Sequence, residues 1–204
     1  MPDGTLSSNS SALPPSKRRF ARPSAATSAH SPPRTGVITI LLLLLFSGTA
    51  TAQSALALIE RTLALKHPVA QLKTDSLATR LNTQDSSGVL LLDVRRADEF
   101  AVSRIRGAVR ADPDLTADEF ARMFAGALKE KELVFYCSVG YRSSILLERV
   151  QQQALEAGAV SLANLRGGIF RWYNERRPLH DGTGKVDTVH RYDAFWGRLL
   201  KKDD

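Results

Sequence analysis

Apolar positions along the chain follow two rhythms, one of period near 3.6 and one of short unbroken runs. Leu56, Leu58, Ile59 and Leu63 recur at helical spacing through residues 54–66, and the stretch stops at His67-Pro68, since a residue before proline is driven out of the helical region. Residues 69–72 read as a short strand, and Thr74 or Asp75 caps a helix running to Leu81. A turn cluster at residues 85–88 leads into VLLLD at 89–93, an apolar run suited to a strand covered on both faces. Residues 97–102 form a short helix, and Val109 falls in a further strand. Thr116 with Glu119 makes a capping box that opens a helix over 117–128, with Phe120, Met123, Phe124 and Leu128 on one face.

LVFY at 133–136 is a second buried strand. Residues 142–157 are amphipathic through Ile145, Leu146, Val150 and Leu155, and Gly158 ends them. A third strand covers 160–165, and a short helix over 169–176 carries Trp172 in the core. Residues 180–190 read as a loose polar connection. A terminal helix over 192–200 packs Trp196 and Leu199 onto the domain. Strands alternating with helices predict an α/β fold, a mainly parallel central sheet flanked by helices on both faces.

The first 52 residues stand apart. Residues 1–36 hold five basic side chains against Asp3 alone, +4 of the chain's formal +7. The high pI therefore belongs largely to this segment, and the remainder, with acids interleaved as in Glu130-Lys131-Glu132, gives no support to nucleic-acid binding. VITILLLLLF at 37–46 is shorter than the roughly 20 residues a membrane helix needs. With the small-x-small Ala50-Thr51-Ala52 it reads as a signal peptide cut after Ala52, and the product as periplasmic or secreted. The long basic region leaves three alternatives: a downstream start, a bipartite leader, or an uncut membrane anchor through 37–52. Lys17-Arg18-Arg19-Phe20 is similar to a twin-arginine signal but lies far from the apolar run. The expected layout is a leader at 1–52, a helix at 53–66, a domain at 67–180 and a C-terminal extension at 181–204.

One cysteine excludes an internal disulfide and a multi-cysteine zinc site. His30, His67, His180 and His190 show no metal spacing, and no cofactor is expected. Gly182-Thr183-Gly184-Lys185 lacks the earlier glycine and the following Ser or Thr of a phosphate loop. Cys137 stands where strand 133–136 ends, in a loop Cys137-Ser138-Val139-Gly140-Tyr141-Arg142 that runs into a helix. Ligands in parallel α/β sheets bind at that end of the strands, and helix N-termini favour anions. A sulfur held there is expected to be acidic, with Gly140 turning the loop's amides inward and Arg142 pairing with an incoming oxyanion. Asp93 is read as structural. The reading fails if the thiol is walled off from solvent with those amides turned elsewhere.

The loop resembles the active-site loop of the rhodanese superfamily. Asp93-Val94-Arg95, Glu99-Phe100 and Ile105-Arg106-Gly107-Ala108 resemble its first motif; Leu165-Arg166-Gly167-Gly168, Trp172 and Pro178 resemble its closing one. The resemblance implies the rhodanese-like fold and a sulfurtransferase. Cys137 would take sulfane sulfur from a small donor such as thiosulfate and pass it to cyanide, a thiol or a protein acceptor. Asp93, Arg95 and Ser143 would support the loop. A persulfide carrier or protein-interaction module is the alternative. Related phosphatases place five residues between Cys and Arg; here there are four, a ring better suited to a persulfide. Ser138 stands where many single-domain members have arginine, which removes one cationic contact for thiosulfate. Ser103-Arg104 replaces the usual Gly-His.

Overall fold

The computed structural model describes residues 52–82 and 86–201; the expected leader lies outside them apart from Ala52. The first helix, α1, spans Ala52–Lys66. Then follow β1 (Gln71–Leu72), α2 (Thr74–Asn82), a 3-10 turn (Ser86–Gly88) and β2 (Val89–Asp93). Next come α3 (Ala97–Val102), β3 (Val109–Arg110), α4 (Ala117–Phe124), β4 (Glu132–Tyr136) and α5 (Tyr141–Glu156). The chain continues through β5 (Ser161–Leu165), α6 (Gly168–Asn174), β6 (Leu179–His180), β7 (Lys185–Val186) and a 3-10 turn (Trp196–Leu199). Among the described residues no helix is long and apolar enough to cross a membrane.

Five strands form one all-parallel sheet in the order β1-β5-β4-β2-β3. Side chains alternate across it. Leu91, Val134 and Tyr136 join Leu56, Ile59, Leu77, Ile169, Phe170 and Leu199 on one face. Leu92, Leu133, Phe135 and Cys137 point the other way, against Phe120, Phe124, Leu146, Leu147 and Val150 of α4 and α5. The two apolar layers explain why β2 and β4 read as unbroken hydrophobic runs.

Several boundaries differ from the sequence pattern. Helix α4 has the expected capping box, Thr116 Oγ1 accepting from the Glu119 amide at 3.3 Å. It ends at Phe124, before Gly126, so Leu128 is buried from a turn while Met123 is 60% exposed. Leu155 likewise faces solvent at 51% exposure, off the buried stripe of α5. The connection at 180–190 is partly built: β6 and β7 pair antiparallel, and Arg104 and His180 exchange backbone hydrogen bonds. The expected terminal helix is only the short 3-10 turn. It buries Leu199 as foreseen, against the same layer as α1, and Trp196 packs partly buried beside it.

Candidate active site

Strand β4 ends in the middle of the sheet, and the next residue is Cys137. The loop turns at Gly140, whose φ of +99° is a left-handed conformation that costs glycine little. That turn aims the Gly140 amide back at the thiol: its N–H donates to Cys137 Sγ at 3.2 Å. Helix α5 starts immediately after, with Gly140 as its N-cap, so the positive end of its dipole lies at the cysteine loop. From below, the amides of Ile169 and Phe170 at the start of α6 donate to the carbonyls of Cys137 and Ser138 at 2.9 and 3.0 Å. The loop is thus held by the residues that follow Leu165-Arg166-Gly167.

Of the expected supports, Ser143 lies on the first turn of α5 and donates to Asn164 Oδ1 at 2.7 Å, tying the helix to β5. Asn164 in turn donates to Gln71 of β1 at 3.1 Å. Asp93 and Arg95 form a fully buried ion pair, Arg95 Nη2 to Asp93 Oδ2 at 2.6 Å, and Arg95 also donates to the Ser103 carbonyl at 2.5 Å. Tyr136, the residue before the cysteine, closes this group: its hydroxyl accepts from the Ile105 amide at 3.2 Å. Burial and the Asp93 carboxylate push the phenol well above its ordinary pKa, so it stays neutral. These three brace the strand ends under the loop; they do not line the sulfur.

Arg142 has a different partner from the one expected. Its Nη1 and Nη2 donate to the two oxygens of Glu99 at 2.7 and 2.8 Å, and Nη2 also reaches Ser138 Oγ at 3.0 Å. Ser138 Oγ donates to Glu99 Oε1 at 3.1 Å. Glu99 is 0% exposed, so this is a bidentate pair across α3 and the cysteine loop, not a free cation awaiting an anion. Burial alone would discharge both groups, but mutual hydrogen bonds and attraction outweigh it: Arg142 is raised and Glu99 lowered from their ordinary values. Glu99 belongs to the first motif, yet its role as counter-ion is a contact across 43 residues that spacing does not reveal.

The sign of the Glu99 shift sets a pH dependence. A carboxyl whose pKa falls on folding stabilises the native state above its unfolded pKa and loses that contribution as pH drops through the folded value. The pair's contribution should be complete above about pH 4.5 and decline below it. Urea unfolding midpoints measured across this acid range should fall more steeply for the native protein than for Glu99→Gln, which should be less stable at neutral pH. Parallel curves would mean the carboxylate does not sense Arg142.

The thiol is not open to solvent: Cys137 is 1% exposed, and Ser138, Val139 and Gly140 are buried with it. One loop amide, that of Gly140, faces the sulfur, while the thiol itself is closed off from solvent. A cleft of about 440 Å³ lined by Leu81, Leu91, Ile105, Arg106, Trp172 and His180 includes none of the loop residues. No group of three potential metal-ligating side chains occurs among the described residues.

The part of the chain that carries this cysteine loop matches a known family. The Rhodanese-like domain model matches residues 73–175, and the chain belongs to that family. A tRNA uridine(34) hydroxylase of Kocuria rhizophila is 33% identical over 113 residues, 52% of this chain and 36% of that protein. The chain thus spans well under half the length of that curated relative. Among solved structures, a thiosulfate sulfurtransferase from Pseudomonas aeruginosa is 17% identical, covering 73% of this chain and 27% of its own, with a TM-score of 0.47. An As-Sb reductase from Leishmania major is 21% identical, covering 60% and 92%, with a TM-score of 0.48. A rhodanese-like domain protein from Staphylococcus aureus is 24% identical, covering 58% and 99%, with a TM-score of 0.39.

Proposed function

We propose that the protein is a rhodanese-type sulfurtransferase that carries sulfane sulfur on Cys137. The observation that carries the reading is the Gly140 amide donating to Sγ at 3.2 Å, at the N-terminus of α5. An inward amide at a helix start stabilises negative charge on the thiolate, and equally on the outer sulfur of a persulfide. In the first step the thiolate attacks the outer sulfur of a donor R–S–S⁻ or of thiosulfate; the donor's S–S bond breaks and the thiol or sulfite leaves. In the second, a nucleophilic acceptor attacks the outer sulfur of the persulfide and the Cys137 thiolate is released. The basic start, apolar run and Ala-Thr-Ala end of residues 1–52 support an exported site of action.

A carrier that hands sulfur to a protein acceptor, with slow turnover on small donors, is a second reading. The near-complete burial of Cys137 and the Glu99 pairing of Arg142 favour it, because both impede a small anionic donor. Intact mass after incubation with thiosulfate or a low-molecular-weight persulfide tests the shared step. The native protein should gain one sulfur atom, lost on cyanide treatment, and Cys137→Ser should gain none. The same spectrum reports the N-terminus of the exported form. No adduct with either donor would overturn sulfur transfer at this cysteine. Steady-state turnover with cyanide then separates the enzyme from the carrier.

A further inference from the structure

The C-terminal extension is placed over the cysteine loop by a defined set of contacts. Leu199 is buried, its carbonyl accepts from Asn174 Nδ2 at 2.8 Å, and the Lys201 amide donates to Asn174 Oδ1 at 2.8 Å. At the other end, β6 and β7 form their hairpin and Arg104 pairs with His180. Between these anchors Tyr192 has a φ of +66°, a left-handed backbone that is uncommon for a non-glycine residue. Its amide is held by His190 Nδ1 at 3.0 Å. The result of this turn is the position of the ring. The guanidinium carbons of Arg142 and Arg96 lie over it, 5.0 and 5.3 Å from its centroid.

Both arginines belong to the site. Arg142 is the only cation in the loop sequence, and Arg96 precedes α3, with its side chain 3.6 Å from Glu99. Arg142 therefore spends its hydrogen-bonding edge on Glu99 and Ser138 and a face on Tyr192. An aromatic face over a guanidinium attracts it and limits its rotation. With 21% of its side chain exposed, Arg142 is fixed by three partners and cannot turn towards an incoming anion without leaving at least one.

We propose that Tyr192 is a specificity-determining residue of the Cys137 site: by holding Arg142 on Glu99 it withholds the loop's cation from doubly charged donors such as thiosulfate. The site then favours sulfane donors of low charge, typified by the persulfide of a small thiol. Tyr192 acts through Arg142 and does not touch the sulfur, so it is a positioning residue. It lies outside the residues matched by the family model. The inference deepens the sulfur-transfer reading and rests on it for the donor class, while the control of access to Cys137 has its own readout.

The test uses the full chain with Tyr192→Ala and Tyr192→Phe. Alkylation of Cys137 at neutral pH is followed with neutral iodoacetamide and anionic iodoacetate, which needs no sulfurtransferase activity. Tyr192→Ala should raise the iodoacetate rate about threefold to tenfold more than the iodoacetamide rate, the scale of one lost cation–π contact. Tyr192→Phe keeps the ring and should behave as the native protein within about twofold. In sulfur transfer to cyanide, Tyr192→Ala should lower the KM for thiosulfate with kcat little changed, and leave the KM for cysteamine persulfide, which carries no net charge, unchanged. An unaltered iodoacetate-to-iodoacetamide ratio in a folded Tyr192→Ala protein would overturn the proposal, whatever the turnover. If the ratio shifts but no donor forms an adduct, the sulfur-transfer reading fails and the control of the loop cation by Tyr192 stands. A Tyr192→Phe variant that matches Tyr192→Ala would also overturn it, because the ring would then be irrelevant.

Discussion

Gly168→Ala should lower stability by about 3 kcal/mol or more, one of the largest losses available to a single methyl group in this fold. Gly168 has a φ of +57°, where an L side chain already costs about 1–2 kcal/mol. An added Cβ would sit 2.3 Å from the Cys137 carbonyl oxygen and 2.7 Å from that of Ser138. Both contacts are with backbone, and those same oxygens accept the Ile169 and Phe170 amides. The clash would be relieved only by parting α6 from the cysteine loop, at about 1 kcal/mol for each hydrogen bond weakened, plus the exposure of buried carbonyls. Gly167 is a useful contrast. Its Cβ would meet the buried, ion-paired Glu60 carboxylate and Arg171, whose Cβ is 2.7 Å away, but its three nearest neighbours are all side-chain atoms, although its φ of +75° is also strained. Urea unfolding should therefore rank native, Gly167→Ala and Gly168→Ala in falling order. Equal midpoints for native protein and Gly168→Ala would show that the loop does not rest on this backbone.

Asp93→Ala should cost about 3–5 kcal/mol, by leaving the Arg95 guanidinium charged and without its partner in the core. Both side chains are 0% exposed, and the carboxylate accepts Arg95 Nε at 2.9 Å, Nη2 at 2.6 Å and the Arg95 amide at 3.1 Å. In the native protein hydrogen bonds and attraction from Asp93 overcome the burial penalty and hold the Arg95 pKa above its ordinary value; the variant loses that compensation, yet a guanidinium keeps its charge. Replacing both residues together, Asp93→Leu with Arg95→Met, removes the stranded charge and should recover much of the loss. A single Asp93→Ala substitution costing under about 1 kcal/mol would mean that water reaches the guanidinium, and that the pair does not brace the strand ends.

The sheet was legible because β2 and β4 are apolar on both faces and because capping and turn residues mark the helices between them. The Thr116–Glu119 box is local, so it could be read; the early end of α4 depends on packing beyond Gly126, so it could not. At the site, the strand–Cys137–Gly140–helix sequence was local enough to predict an amide aimed at sulfur. The partner of Arg142 was not, because two readings of an arginine at a loop end, anion clamp or ion pair, differ only in what the chain brings from Glu99. Tyr192 was hidden for the same reason. Its contact with Arg142 spans 50 residues, and its segment carried a helical pattern that the anchors at Asn174 and His180 override.

The outermost strands β1 and β3 are each two residues long. Such stubs offer little unpaired backbone, so among the described residues neither edge of this sheet gives an extended peptide or a second copy a long ladder to pair with. A partner that docks on this domain would therefore engage its helices and loops rather than the edge of its sheet.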